Sequence, residues 1–88
     1  MTTRDDARFA DFVAARQQRL RRAAYLLTGD REAAADVTQE ALIRLYVAWP
    51  RLDPEQGLVS YAHRALMSAV IDASRRRGTR ERYERRVA

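Results

Sequence analysis

Glycine and proline are confined to five positions of this 88-residue chain, and they divide it into three long segments. Gly29 follows the first segment, Pro50, Pro54 and Gly57 separate the second from the third, and Gly78 comes ten residues before the end. The segments between them are rich in alanine, arginine and leucine, which favour helix. No stretch alternates apolar and polar residues as a half-buried strand does. The sequence therefore predicts three helices and no sheet.

The first helix is predicted from about Asp5 to Leu27. Gly29 suits the left-handed conformation that ends many helices, and Asp30 suits the N-cap position of the next one. Apolar residues recur every three or four positions, as on the buried face of an amphipathic helix: Phe9, Val13, Leu20, Ala24 and Leu27.

The second helix is predicted from about Arg31 to Trp49. Pro50 stops it, because proline disfavours the helical conformation in the residue before it. In the connection over residues 50–57, Asp53-Pro54 is typical of a cap followed by a first-turn proline, which allows one short extra helical turn. The inner face of the second helix is formed by Ala34, Val37, Ala41, Leu45 and Trp49.

The third helix is predicted from about Leu58 to Arg77, and Gly78 is expected to end it. Residues 79–88 are mostly charged and have little to bury, so we expect them to fray or to be disordered. The predicted fold is all-α, a compact three-helix bundle with a short fourth helical turn allowed near Asp53. This domain would span residues 1–78, and residues 79–88 would form a basic tail or the start of an interdomain linker.

Several functional classes lack support in the sequence. The chain has no cysteine, so disulfides, thiolate metal sites and thiol nucleophiles are excluded. Its one histidine, His63, has no carboxylate one turn away, and there is no glycine-rich phosphate loop. We therefore expect no enzyme activity, no cofactor and no metal. No apolar run approaches the ~20 residues of a membrane span, and no signal-peptide segment follows Met1, so we expect a cytoplasmic protein.

Charge is distributed unevenly along the chain. Residues 58–88 carry eight arginines against three acids, whereas residues 31–57 carry three arginines against five acids. A basic end beside an acidic middle predicts two surfaces with different partners, one of them polyanionic.

The second helix leaves a mixed polar and apolar face on its outer side. An exposed isoleucine among hydrogen-bonding side chains indicates a contact patch for a helix of another protein. The alternative is an ordinary amphipathic helix with a Glu40–Arg44 pair on its surface. The predicted patch consists of Asp36, Gln39, Glu40, Ile43 and Arg44.

The third helix carries a basic face. Residues 64, 68, 72 and 75 follow one another at helical spacing, and two further arginines extend the face. Arginine suits phosphate oxygens, and a neighbouring aromatic ring suits the bases of a single strand. The alternative is a charged helix end that only solubilises the surface. The residues concerned are Tyr61, Arg64, Ser68, Asp72, Arg75, Arg76 and Arg77.

Three segments together resemble a known family. Residues 34–41 resemble the D-x-x-Q-E segment of region 2.2 in extracytoplasmic-function (group IV) sigma factors. Residues 24–30 are similar to the A-Y-L-L-T-G-D stretch of actinobacterial members. Residues 61–66, with Ile71-Asp72 and Arg75 to Arg77, resemble regions 2.3–2.4. The three segments occur in the order and spacing that the family has.

The resemblance implies a role for each surface. The patch on the second helix would dock on the clamp coiled coil of the RNA polymerase beta-prime subunit. The connection over residues 51–57, with Arg51, Asp53 and Gln56, would capture a flipped base of the promoter minus-10 non-template strand. The basic face of the third helix would follow that strand. Two departures matter: many members have asparagine where this chain has Ser68, and a complete member continues into a second helical domain.

Two other interpretations stay open from the sequence. The chain could be a stand-alone interaction module that occupies the clamp, or titrates an anti-sigma factor, without reading DNA. It could also be a basic nucleic-acid binder without sequence preference, whose affinity would depend steeply on salt.

Overall fold

A computed structural model describes residues 3–88, which form three α-helices and no strand. Helix α1 spans Thr3–Thr28, α2 spans Arg31–Ala48 and α3 spans Leu58–Val87. A short 3₁₀ turn, Trp49–Arg51, follows α2 directly. The predicted all-α three-helix bundle is confirmed.

The joint between α1 and α2 is formed as the sequence predicts. Gly29 has a φ of 71°, and its amide donates to the carbonyl of Tyr25 at 2.8 Å. Asp30 is extended, and its carboxylate accepts the amide of Glu32 at 3.1 Å. Glycine thus reverses the chain at low steric cost, and aspartate satisfies one of the free amides that begin α2.

The second joint differs in detail from its prediction. The α-helix ends at Ala48, and the extra helical turn lies at Trp49–Arg51, before Asp53. Asp53 instead begins a turn: its carboxylate accepts the amide of Glu55 at 2.8 Å, and its carbonyl accepts the amide of Gln56 at 3.2 Å. Proline at the second position suits such a turn. Gly57, with a φ of 78°, then starts α3.

The core is made mainly of alanines and leucines, so the helices approach closely. Helix α2 lies between α1 and α3, and these two contact α2 far more than each other. Two buried residues were not predicted, Ala48 and Thr38. Thr38 is 2% exposed, and its hydroxyl donates to the carbonyl of Ala34 at 2.7 Å. The buried apolar residues are Leu20, Ala24, Ala34, Val37, Ala41, Leu45, Ala48, Trp49, Ala62, Ala65, Leu66 and Ala69.

An aromatic cluster covers the end of the core near the second joint. The ring of Phe9 meets Tyr46 at 5.0 Å and Trp49 at 5.3 Å, both edge to face, and Phe12 lies 5.7 Å from Trp49. Such edge-to-face pairs contribute beyond their buried area. This cluster fixes α1 against the end of α2.

Leu27 was predicted on the buried stripe of α1, but 47% of it is exposed. It lies in the last turn of α1, beside the bend at Gly29, and α3 packs mainly on α2. The described helices therefore leave about half of Leu27 uncovered.

The predicted end of the third helix at Gly78 is wrong. Helix α3 continues through it to Val87, so the segment expected to fray is helical. Gly78 has a helical φ, and glycine inside a helix costs only about 1 kcal/mol relative to alanine. The flanking arginines and glutamates are strong helix formers, and Arg82 donates a hydrogen bond to the hydroxyl of Thr79 at 3.3 Å. These preferences outweigh one glycine.

Candidate functional site

The outer face of α2 combines polar and apolar side chains. Asp36 and Gln39 are exposed, and Ile43 is 50% exposed. Val47, one turn after Ile43, is 66% exposed and was missed from the sequence. The four-residue spacing of Ile43 and Val47 was the signal that could have found it. Ile43 and Val47 thus place two aliphatic side chains one turn apart on the solvent-facing stripe of α2.

Arg44 departs from its predicted place on that outer face. Its guanidinium is half-buried on the side of α2 that faces α3. The Nε donates to Glu40 at 3.2 Å, and one terminal nitrogen donates to Asp72 of α3 at 2.8 Å. The Glu40–Arg44 pair is thus confirmed, but Arg44 mainly joins two helices.

The ion pair with Arg44 also lowers the pKa of the Asp72 carboxyl. The hydrogen bond from Arg44 holds the pKa of the Asp72 carboxyl below its ordinary value, opposed by desolvation and assisted by the charges of Arg44, Arg75 and Arg76. The same hydrogen bond raises the pKa of Arg44, with Glu40 adding to the effect. Asp72 is therefore kept ionised, and its negative charge is balanced by Arg44 within a row of arginines.

The outer face of α3 is basic, as the sequence predicts. Arg64, Ser68 and Arg75 are exposed at helical spacing, and the guanidinium carbon of Arg64 lies 5.8 Å from the centre of the half-buried Tyr61 ring. Two apolar neighbours were missed: Met67 and Ile71 are 44% and 43% exposed. The face therefore offers apolar contacts as well as charge.

A groove of about 550 Å³ lies between the outer face of α2 and the basic face of α3. Asp36 and Glu40 line its α2 wall, whereas Arg76, Arg77 and Arg80 line its α3 wall. The acidic and basic segments of the sequence thus face each other across one groove, and the two predicted binding surfaces share this edge.

The connection before α3 presents the remaining predicted residues. Arg51, Asp53 and Gln56 are all exposed, although the Asp53 carboxylate is engaged by the Glu55 amide. Beside this connection lies a cavity of about 350 Å³, whose lining includes Gln56 and residues of α1. The contribution of α1 was not predicted, because it depends on how two distant segments pack.

Other kinds of site find no support in the part of the chain that the structure describes. Within residues 3–88 no three acidic, histidine or cysteine side chains are grouped so as to hold a metal ion. The side chain of His63 is exposed. Of the helices described, none is both long and apolar enough to cross a membrane.

A comparison with protein-family models matches residues 12–80 to Sigma-70 region 2. The chain belongs to this family. The Sigma-70 region 2 match covers most of α1, all of α2, the connection and α3 to just beyond Gly78, so it includes both surfaces described above. Sigma-70 region 2 domains act in transcription initiation, where they contact RNA polymerase and promoter DNA. Comparisons with curated proteins and with solved structures give no significant match.

Proposed function

We propose that this chain is region 2 of an extracytoplasmic-function sigma factor of the actinobacterial type, acting in the cytoplasm. It would dock on the beta-prime clamp coiled coil with α2 and bind the minus-10 non-template strand with the connection and α3. The observation that carries the proposal is the pair of adjoining surfaces, one with exposed aliphatic residues and one lined with arginines.

The polymerase contact is proposed for the outer face of α2. Asp36 and Gln39 supply hydrogen-bonding groups, and Ile43 and Val47 supply apolar area between and beside them. The outer positions of a coiled-coil helix carry charged side chains with apolar stems, which can meet both kinds of group. Glu40 and Arg44 would border this contact, and Arg44 would act mainly by holding α3 in place.

The DNA contact is proposed for the connection and the basic face of α3. Arg51, Asp53 and Gln56 would surround a base turned out of the stack, and Tyr61 with Arg64 would stack on its neighbours. Unstacking a base costs a few kcal/mol, which stacking and hydrogen bonds in the pocket must recover. The strand would then continue along Ser68, Asp72, Arg75, Arg76 and Arg77.

The first test is binding to the isolated beta-prime clamp coiled coil. We expect Gln39→Ala with Ile43→Ala to weaken binding at least about tenfold, because both side chains lie at the centre of the patch. A matched control is Gln17→Ala with Leu26→Ala, which removes similar side-chain types from exposed positions of α1. Equal affinities of the two double variants would refute the clamp assignment.

The second test separates a promoter-reading domain from an interaction module. We expect the protein to prefer the non-template minus-10 strand of its own promoter, recovered by selection from a random pool, over the complementary strand. Clamp binding without strand preference would instead support the module that occupies the clamp or titrates an anti-sigma factor. Binding to any strand with a steep salt dependence would support a basic nucleic-acid binder.

A further inference from the structure

The cavity beside the connection has one wall from a part of the chain to which we assigned no function. Phe12 and Arg16 of α1 line it, opposite Pro54, Gln56 and the first turn of α3. Its volume of about 350 Å³ is open to solvent at the edge of the proposed DNA surface.

Arg16 differs from the other arginines of residues 3–88. Only Arg16 and Arg44 are half-buried, and Arg44 is paired with two carboxylates. Arg16 has no such pair in this part of the chain, and its Nε is buried without a hydrogen-bond partner. A buried donor without a partner is unfavourable unless something else compensates.

The guanidinium of Arg16 is held at this wall by an aromatic contact. Its central carbon lies over the Phe12 ring, 5.3 Å from the centroid. Phe12 is itself packed against Trp49. The guanidinium is therefore positioned in advance at the cavity, and a planar guanidinium is a surface on which nucleobases stack.

We propose that Arg16 is a nucleotide-binding residue: a base that enters the cavity stacks on its guanidinium, which Phe12 supports from behind. This inference rests on the proposed function, because it requires a single strand to pass the connection. It adds a residue of α1 to a site otherwise formed by residues 51–77.

The test uses the full chain, a strand of twelve thymidines and a strand of twelve abasic nucleotides. Arg16→Lys keeps the charge and removes the plane, so it separates stacking from simple attraction to phosphate. We expect it to weaken binding of the thymidine strand by about five- to tenfold, and to leave binding of the abasic strand unchanged. Arg19→Lys, one turn away at an exposed position of α1, is the matched control and should change neither.

The outcomes distinguish this inference from the proposed function. Suppose that the wild type prefers the non-template strand, but the Arg16→Lys and Arg19→Lys variants bind the thymidine strand equally well. That result would overturn the role of Arg16 alone. A wild type that binds the thymidine strand and the abasic strand equally, or binds neither, would overturn the inference and the strand-binding half of the proposed function. A thermal unfolding midpoint equal to that of the control would confirm that Arg16→Lys acts on binding rather than on folding.

Discussion

At the scale of single residues, Arg44 shows what sequence spacing reveals and what it does not. Its pair with Glu40 is one helical turn away and was predicted from the sequence. Its shorter contact, at 2.8 Å, is with Asp72, which is 28 residues further along and on another helix. Spacing alone could not reveal that contact, because it depends on how α3 lies against α2. The contact places a cation beside the only acid on the proposed DNA face between Tyr61 and Arg77.

The Arg44–Asp72 pair predicts a specific titration. Arg44→Met should raise the pKa of the Asp72 carboxyl towards its ordinary value, because the variant lacks the hydrogen bond that lowers it. Side-chain carboxyl chemical shifts measured by NMR against pH would follow this change. Arg64→Met, which removes an exposed arginine of α3 that forms no ion pair with Asp72, should leave the titration nearly unchanged.

The same pair gives stability a pH dependence of defined sign. Because the pKa of Asp72 is lower in the folded chain than in the unfolded one, its stabilising contribution is present above the ordinary aspartate pKa of ~3.9. That contribution disappears as pH falls through the lowered pKa. Denaturant unfolding of the Arg44→Met variant should therefore show a weaker acid dependence than the wild type. Parallel curves for the two proteins would contradict the assignment.

At the scale of elements, the helix starts and the first joint were predicted well, and the end of α3 was not. Gly29 and Asp30 act through local geometry that the sequence specifies, a positive φ followed by a capped amide. Gly78 gives the same kind of signal in the sequence, yet its φ is helical. Glycine is compatible with both conformations, so only the surrounding helix formers could decide between them.

Replacing a helical glycine and replacing a glycine with a positive φ by alanine should have opposite effects on stability. Gly78→Ala should stabilise the end of α3 by up to about 1 kcal/mol, since the new Cβ would meet only the Arg82 side chain at 3.8 Å. Gly57→Ala should destabilise the chain by about 1–2 kcal/mol, because φ is 78° there and the added Cβ would be strained.

Helical circular dichroism and amide hydrogen exchange of residues 79–87 would measure the effect of Gly78→Ala. Denaturant unfolding would measure the effect of Gly57→Ala. Slower exchange in Gly78→Ala is expected. Unchanged helicity and exchange in that variant would mean that α3 ends near Gly78 in solution.

At the scale of the whole molecule, the uneven distribution of charge along the sequence predicted an acidic and a basic surface. The fold brings these two surfaces to one groove. The acidic α2 wall and the basic α3 wall are adjacent, so a partner on one lies close to a partner on the other. The exposed apolar residues Met67 and Ile71 could not be assigned from the sequence. Their spacing is also compatible with burial, and only the packing of α2 against α3 leaves them outside.

The last prediction concerns the arginines of α3 and the salt dependence of DNA binding. Arg75→Ala with Arg76→Ala should weaken binding to DNA and reduce the slope of log affinity against log salt by about two, because each arginine removed from a phosphate reduces the slope by about one. Arg85→Ala with Arg86→Ala removes the same charge from the same helix, ten residues further from the proposed strand path, and should change the slope much less. Affinity for the clamp should be unaffected in both variants, because neither pair lies on the outer face of α2. Equal slopes for the two variants would mean that DNA senses only the overall charge of α3, which would remove the proposed strand path along Arg75 and Arg76.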